Sequence, residues 1–218
     1  MYHVCQEAWP YSIRVPDDAP SAPALAVGVR ERLLDAMGQC LTERGYAATT
    51  VADVVRTART SRRSFYQEFA DKQECFVELL RHANDELIAS IGAGVDPDVG
   101  WQTQVRQAVR AYIDSCERHP ETTRSWIREL PALGQSARAV QVASIESFTE
   151  LLARLTSSQQ MRDAGISPMS AEIALIVWAG IRELAASALE HGRPLRTIEE
   201  PAVAACIALL GVSQPSVS

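Results

Sequence analysis

The chain predicts an all-α protein of about nine helices, and three observations lead there. Apolar residues recur at spacings of three and four along most of its length, the mark of helices with one buried face. No segment sustains the period-two alternation of a half-buried strand. Helix-start signals, a Ser, Thr or Asp ahead of the first apolar residues, fall in front of several of these stripes. The length of 218 residues supports one or two domains with at least one full core.

The elements follow in order. Residues 1–26 hold Pro10, Pro16, Pro20 and Pro23 and predict an extended, disordered Pro-rich arm. Val29, Leu33, Ala36, Met37, Cys40 and Leu41 form the first stripe, stopped by Gly45. Thr50 and Asp53 make a capping box for a short helix carrying Val51, Val54 and Val55, which Arg59 and Thr60 interrupt. Ser61 caps a second short helix with Phe65, Tyr66 and Phe69. Asp71 and Glu74 read as another capping box, opening a longer helix through Phe76, Leu79, Leu80, Ala83, Leu87 and Ile91. After the Gly92–Gly100 break come a stripe from Val105 to Cys116, a short segment around Trp126, and a helix over 139–155. The stripe from Ile173 to Ala188 is the strongest, and Thr197 with Glu200 reads as the box of a last helix containing Val203, Cys206, Ile207 and Leu210.

Composition excludes several classes. With 47% hydrophobic and 22% charged residues the chain is globular rather than disordered or fibrous. Its longest uncharged apolar run, Ile173 to Ile181, is far short of the roughly 18 residues of a membrane span. No secretory leader pattern opens the chain, and five scattered cysteines without a C-x-x-C pair suit a reduced compartment, so a cytoplasmic location is expected. Four dispersed histidines offer no local metal-ligand spacing, and no metal or cofactor is expected.

The net charge of −6 argues against a polyanionic partner until it is resolved by region. Arg56, Arg59, Arg62 and Arg63 lie between residues 56 and 67 without an acid among them. They sit on two short helices and the turn between them, the helix-turn-helix arrangement, whose second helix enters the DNA major groove. Arg62 and Arg63 are placed to reach guanine edges or phosphates.

Residues 30–80 resemble the DNA-binding domain of the TetR family of bacterial transcriptional regulators. The resemblance rests on Leu33-x-x-Ala36, Gly45-Tyr46-x-x-Thr49-Thr50-Val51-x-x-Val54, Ala58-x-x-Ser61-x-x-Ser64-Phe65-Tyr66-x-x-Phe69 and Lys72-x-x-Cys75-Phe76. It implies a three-helix helix-turn-helix domain over 27–72 and a helical ligand-binding and dimerisation domain over 73–218. It implies further that Thr50 caps its helix and touches a phosphate. Arg59, Thr60, Ser61, Arg62, Arg63, Ser64 and Gln67 would line the groove or its edge. Tyr66 would set its hydroxyl on a phosphate with its ring packed inward, and Lys72, the sole lysine, would approach the DNA backbone. The turn departs from the family's usual Ala-Gly-Val-Ser in reading Ala58-Arg59-Thr60-Ser61, at a cost of about 1 kcal/mol if that position is left-handed.

The family is homodimeric and binds a small molecule through its C-terminal domain. Small residues and apolar stripes make Ile176, Gly180, Ile181, Leu184, Ala188, Val203, Ile207 and Leu210 candidates for a four-helix dimer bundle, with filling of the monomer core as the other reading. Tyr112, Cys116, Trp126, Phe148 and Trp178 are candidate ligand contacts for a small apolar or amphipathic effector, and Arg128, Glu129 and Glu183 are candidates to orient a polar group. The reading is a ligand-responsive repressor that binds a palindromic operator on double-stranded DNA as a homodimer. The alternatives are a helical protein-interaction module with a drifted helix-turn-helix, or an enzyme. Against the latter, G-x-S-x-G, Walker and H-E-x-x-H motifs are lacking.

Overall fold

The computed structural model describes residues 28–211, and ten α-helices without a strand make up the fold among them. The expected arm over 1–26 lies outside the described residues. Contacts divide the chain into two compact units, one ending at Leu79 and the other beginning at Leu80. The first holds α1 (Val29–Ala48), α2 (Val51–Thr57), α3 (Arg62–Glu68) and the start of α4 (Lys72–Ala93). The second continues α4 and adds α5 (Trp101–Arg118), α6 (Pro120–Arg128), α7 (Gln135–Leu155), α8 (Gln159–Asp163), α9 (Ala171–Glu190) and α10 (Glu199–Gly211).

In the first unit, α1, α2 and α3 pack pairwise around Leu33, Leu34, Met37, Val54, Phe65 and Phe69, all buried. The regular part of α1 ends at Gly45, whose φ of 74° is the left-handed conformation glycine adopts without strain. Thr50 and Asp53 form the expected reciprocal box, Asp53 N–H donating to Thr50 Oγ1 (3.2 Å) and Thr50 N–H to Asp53 Oδ2 (3.1 Å). The start of α4 differs from its expected box. Asp71 Oδ1 accepts from Glu74 N–H (2.8 Å), but the Glu74 carboxylate reaches past Asp71 to the N–H of Ala70 (2.5 Å). Arg30 ties three elements, donating to the Glu68 carbonyl (2.9 Å), pairing with Glu78 (3.1 Å) and lying 4.5 Å from the centre of the Phe69 ring.

In the second unit, a core of Val109, Ile113, Phe148, Val177, Trp178 and Ala185, among others, joins α5, α7, α9 and α10. Ser144 on α7 donates to Asn84 on α4 at 2.6 Å, a buried polar pair that is satisfied. Arg110 pairs with Glu199 (2.7 Å), Arg106 with Glu200, and Arg196 with Glu117 (3.1 Å) and Asp114, lacing α5 to the start of α10 and to the 3-10 turn before it. The expected Thr197–Glu200 box is therefore absent. Thr197 lies in a 3-10 turn, Leu195–Ile198, where its hydroxyl donates to the Pro194 carbonyl (2.7 Å), and Arg106 takes the Glu200 carboxylate. The helix expected from 139 begins at Gln135, immediately after the positive-φ Gly134, and the five-residue α8 carries too few apolar residues to have shown in the pattern.

The Asp53 box couples stability to pH. Hydrogen bonds from Thr50 and then Arg56 hold the Asp53 carboxyl down at about 2. Since an unperturbed Asp titrates near 3.9, the ionised form stabilises the fold above about pH 4, and that contribution is lost as pH falls through about 2. Asp53→Asn is expected to lower the urea midpoint at neutral pH. The gap to the wild type should close between about pH 4 and 2, followed by circular dichroism.

Candidate functional site

The helix-turn-helix surface is built from helix ends. Two seven-residue helices, α2 and α3, are joined by Ala58 to Ser61. At the end of α2, Thr60 N–H donates to the Val55 carbonyl (2.9 Å) and Arg59 N–H to that of Arg56 (3.2 Å). This pair of bonds is the Schellman closure, and it requires a left-handed residue between the helix and the turn. That residue is Arg59, at φ 50°, the one non-glycine with positive φ among the described residues. The backbone cost expected from the absent glycine is therefore present. At the start of α3, Ser61 Oγ accepts from Ser64 N–H (3.0 Å) and lies 2.9 Å from Ser64 Oγ.

Among the described residues Arg59, Arg62 and Arg63 are exposed and carry no ion pair. Arg56 does not join them, because Asp53 three residues earlier pairs with it at 2.6 Å. The free basic cluster is thus three arginines, one at the turn and two in the first turn of α3, with Thr60 and Gln67 at the same surface. Thr50 Oγ1 is already engaged with Asp53 Oδ2 (2.6 Å). Tyr66 corrects its expectation. Its ring is 58% exposed and meets Phe65 edge-on at 5.4 Å, because Phe65 and Phe69, one turn apart, already take the inward face of α3. Lys72 holds its own unit together: its ammonium donates to the carbonyls of Tyr46 (3.0 Å) and Thr49 (2.9 Å) and lies 4.1 Å from the centre of the Tyr46 ring.

Two of the cavities in the second unit are lined by the expected aromatic residues. One, of about 70 Å³, is lined by Tyr112, Cys116, Thr122, Trp126, Trp178 and Arg182, with Glu86 and others. The second, of about 60 Å³, is lined by aliphatic residues together with Tyr112 and Phe148. Phe148 stacks on Trp178 at 3.9 Å, and Tyr112 meets Trp178 edge-on at 5.9 Å. All five residues expected around a ligand thus line one cavity or the other. Burial pushes the Cys116 thiol up to about 11, and it shares a hydrogen bond with Tyr112. Arg128 and Glu183 face each other instead of the cavity. Arg128 pairs with Glu183 (2.8 Å) and Glu190 (2.5 Å), fastening α6 to α9 at the surface. Arg182 and Thr122 escaped the sequence reading, since a charged residue inside an apolar stripe and a lone threonine carry no pattern.

The two faces of α9 separate the candidate interface residues. Ile181, Ala188 and Val203 are buried in the chain's own core, and Ile207 and Leu210 pack partly against it. Ile176, Gly180 and Leu184 point outward with Leu175, Ile176 being 56% exposed. Of the two readings of the stripe, its inner half fills the monomer core and its outer half lies at the surface, because α9 is apolar on both sides.

Two short helices around a Schellman turn, with free arginines opening the second, define a helix-turn-helix protein of the kind that reads the major groove. The comparisons make this specific. Residues 33–79 match the family model of bacterial regulatory proteins, tetR family. It is 35% identical over 81 residues, 37% of this chain and 38% of the other, to the HTH-type transcriptional regulator AlkX of Mycobacterium tuberculosis. It is 27% identical over 138 residues, 63% of this chain and 61% of the other, to the HTH-type transcriptional activator FasR of Mycolicibacterium smegmatis. The matched stretches thus cover less than two thirds of either relative. The fold is that of the transcriptional regulator FadR from Bacillus subtilis, solved in complex with stearoyl-CoA, at TM-score 0.69 and 11% identity, over 84% of this chain and 98% of that one.

Arg59 carries opposite costs for folding and binding. Arg59→Gly is expected to raise stability by about 1 kcal/mol by relieving the left-handed backbone. If the guanidinium contacts a phosphate, the same change weakens DNA binding and reduces the salt slope by about 1. Chemical denaturation and salt-dependent binding isotherms check the two effects separately.

Proposed function

We propose that this chain is a ligand-responsive DNA-binding transcriptional regulator, a repressor that holds a palindromic operator as a homodimer and is released by a small apolar or amphipathic molecule. The observation that carries the reading is the pair Arg62 and Arg63, exposed and unpaired on the first turn of α3, within the stretch that matches the family. The division of labour proposed is DNA binding over 27–72 and ligand binding and dimerisation over 73–218. Arg59, Thr60, Ser61, Ser64 and Gln67 share the reading surface, with Thr50, Tyr66 and Lys72 at its margin.

Dimerisation is proposed through the outer face of α9, where Leu175, Ile176, Gly180 and Leu184 present apolar surface, beside the exposed Ala204, Ala205 and Ala208 of α10. A twofold dimer carries its two α3 helices to half-sites about 34–36 Å apart, one turn of DNA. The paired cavities favour an amphipathic effector, and stearoyl-CoA, the partner of Bacillus subtilis FadR, has that character. A cytoplasmic location goes with this role, and no helix among the described residues is long and apolar enough to cross a membrane.

Footprinting on the neighbouring promoter is expected to protect a palindrome in a salt-sensitive way. Replacing both Arg62 and Arg63 by alanine should abolish specific protection at unchanged dimer mass, and retained affinity would remove them from the site. Leu184→Glu with Ile176→Glu is expected to convert the dimer to monomer in sedimentation and to weaken operator binding at least tenfold, about 1.4 kcal/mol.

A further inference from the structure

The cavity walled by Tyr112, Trp126 and Trp178 is unusual in its polar groups. Trp178 is 3% exposed and Thr122 is 6% exposed, yet Trp178 Nε1 and Thr122 Oγ1 have no hydrogen-bond partner within the protein, and neither does Arg182 Nε. All three residues line the same space. Buried polar groups are ordinarily paired, and two of these three atoms are N–H groups that can only donate. The third is a hydroxyl able to do so. Arg182 forms no ion pair among the described residues, although its guanidinium lies 5.4 Å from the Trp178 ring. A cavity of about 70 Å³ holds a few waters or the oxygens of one head group.

Three donors, one of them cationic, select an anionic acceptor. The partition beside them is the Phe148–Trp178 stack with Tyr112, and behind it lies the aliphatic second cavity of Ile91, Val105, Val109, Leu152 and Met161. We infer that this unit binds an aliphatic carboxylate, with its carboxylate oxygens on Arg182, Trp178 and Thr122 and its chain passing the Tyr112 wall into the second cavity. The inference rests on the ligand-responsive reading proposed above and names the chemistry of its effector. Glu86, the carboxylate that lines the same cavity, is the feature that would favour a cation instead. Burial pushes its carboxyl up, toward the neutral form, which weakens that competition.

The test is calorimetric titration of the full-length protein with decanoate, decan-1-ol and decylammonium. Decanoate is expected to bind at least about tenfold more tightly than either analogue, the scale of a charge-assisted hydrogen bond. Arg182→Gln should remove that preference. Trp178→Phe, which keeps the ring and deletes Nε1, should weaken decanoate severalfold, and it guards against loss of fold in the first variant. Equal or tighter binding of the alcohol or the ammonium, unchanged decanoate affinity in both variants, or no decanoate binding would overturn the inference. Operator footprinting without ligand runs alongside. A protected palindrome with no carboxylate preference overturns this inference alone, whereas failure to protect any palindrome overturns the regulator reading as well.

Discussion

Helices of seven residues do not stand alone in water, so the proposed DNA-facing surface depends on how the ends of α2 and α3 are closed. Each helix end leaves backbone groups without intrahelical partners, and in a two-turn helix those groups are most of the backbone. Thr50 and Asp53 satisfy the start of α2, the Schellman bonds at Arg59 and Thr60 its end, and Ser61 the start of α3. A cap of this type contributes about 1 kcal/mol, comparable with the left-handed cost at Arg59 that it helps to offset. The outcome is a turn whose backbone is fixed while the side chains of Arg59, Arg62 and Arg63 stay uncommitted. A charge already spent on an internal partner gains less from a phosphate, and Arg56 shows the contrast.

What could be read in advance follows the range of each interaction. The Thr50 and Ser61 caps act over three residues and are written in adjacent text, so they were legible. The left-handed position at Arg59 was legible only through resemblance, because nothing local requires it without the glycine usual there. Lys72 was not legible as a structural residue, since its acceptors are backbone carbonyls 26 and 23 positions away and carbonyls leave no mark in a sequence. Tyr66 misled because an aromatic beside two others reads as core, whereas the helical repeat puts only Phe65 and Phe69 on the inner face.

In the second unit the number and type of helices were clear, but the facing of α9 was not. A stripe that is apolar on one side declares its own orientation, and a helix apolar on both sides does not. Tertiary contacts with α6, α7 and α10 decide that Val177, Ile181 and Ala185 go inward, leaving Ile176 and Leu184 outside. Thr197 and Glu200 matched a capping box by spacing, yet Arg106, 94 residues earlier in the chain, held the stronger claim on the carboxylate. The four aromatics and one cysteine that line the cavities were expected there by type and helix position. Their polar neighbours Thr122 and Arg182 were not, because being unpaired is a property of three-dimensional surroundings.

Effector control requires a ligand that interacts differently with two states of the protein. On the proposed reading the cavities are where such a difference arises. At about 70 and 60 Å³ they fall far below the 300–1,000 Å³ of sites that enclose a whole small molecule, so a ligand longer than a head group has to part Phe148 from Trp178. Leaving a buried donor unpaired costs about 1–3 kcal/mol, and a ligand that satisfies even one or two recovers energy on the scale of a typical allosteric coupling, also about 1–3 kcal/mol. Trp178 and Arg182 stand on the inner side of α9, and Ile176, Gly180 and Leu184 on its outer side. A ligand that displaces the partition therefore acts on the helix whose other face is proposed to hold the dimer. Recognition of the head group and adjustment of the dimer would then be two consequences of moving one helix, without any contact between the ligand and the basic turn.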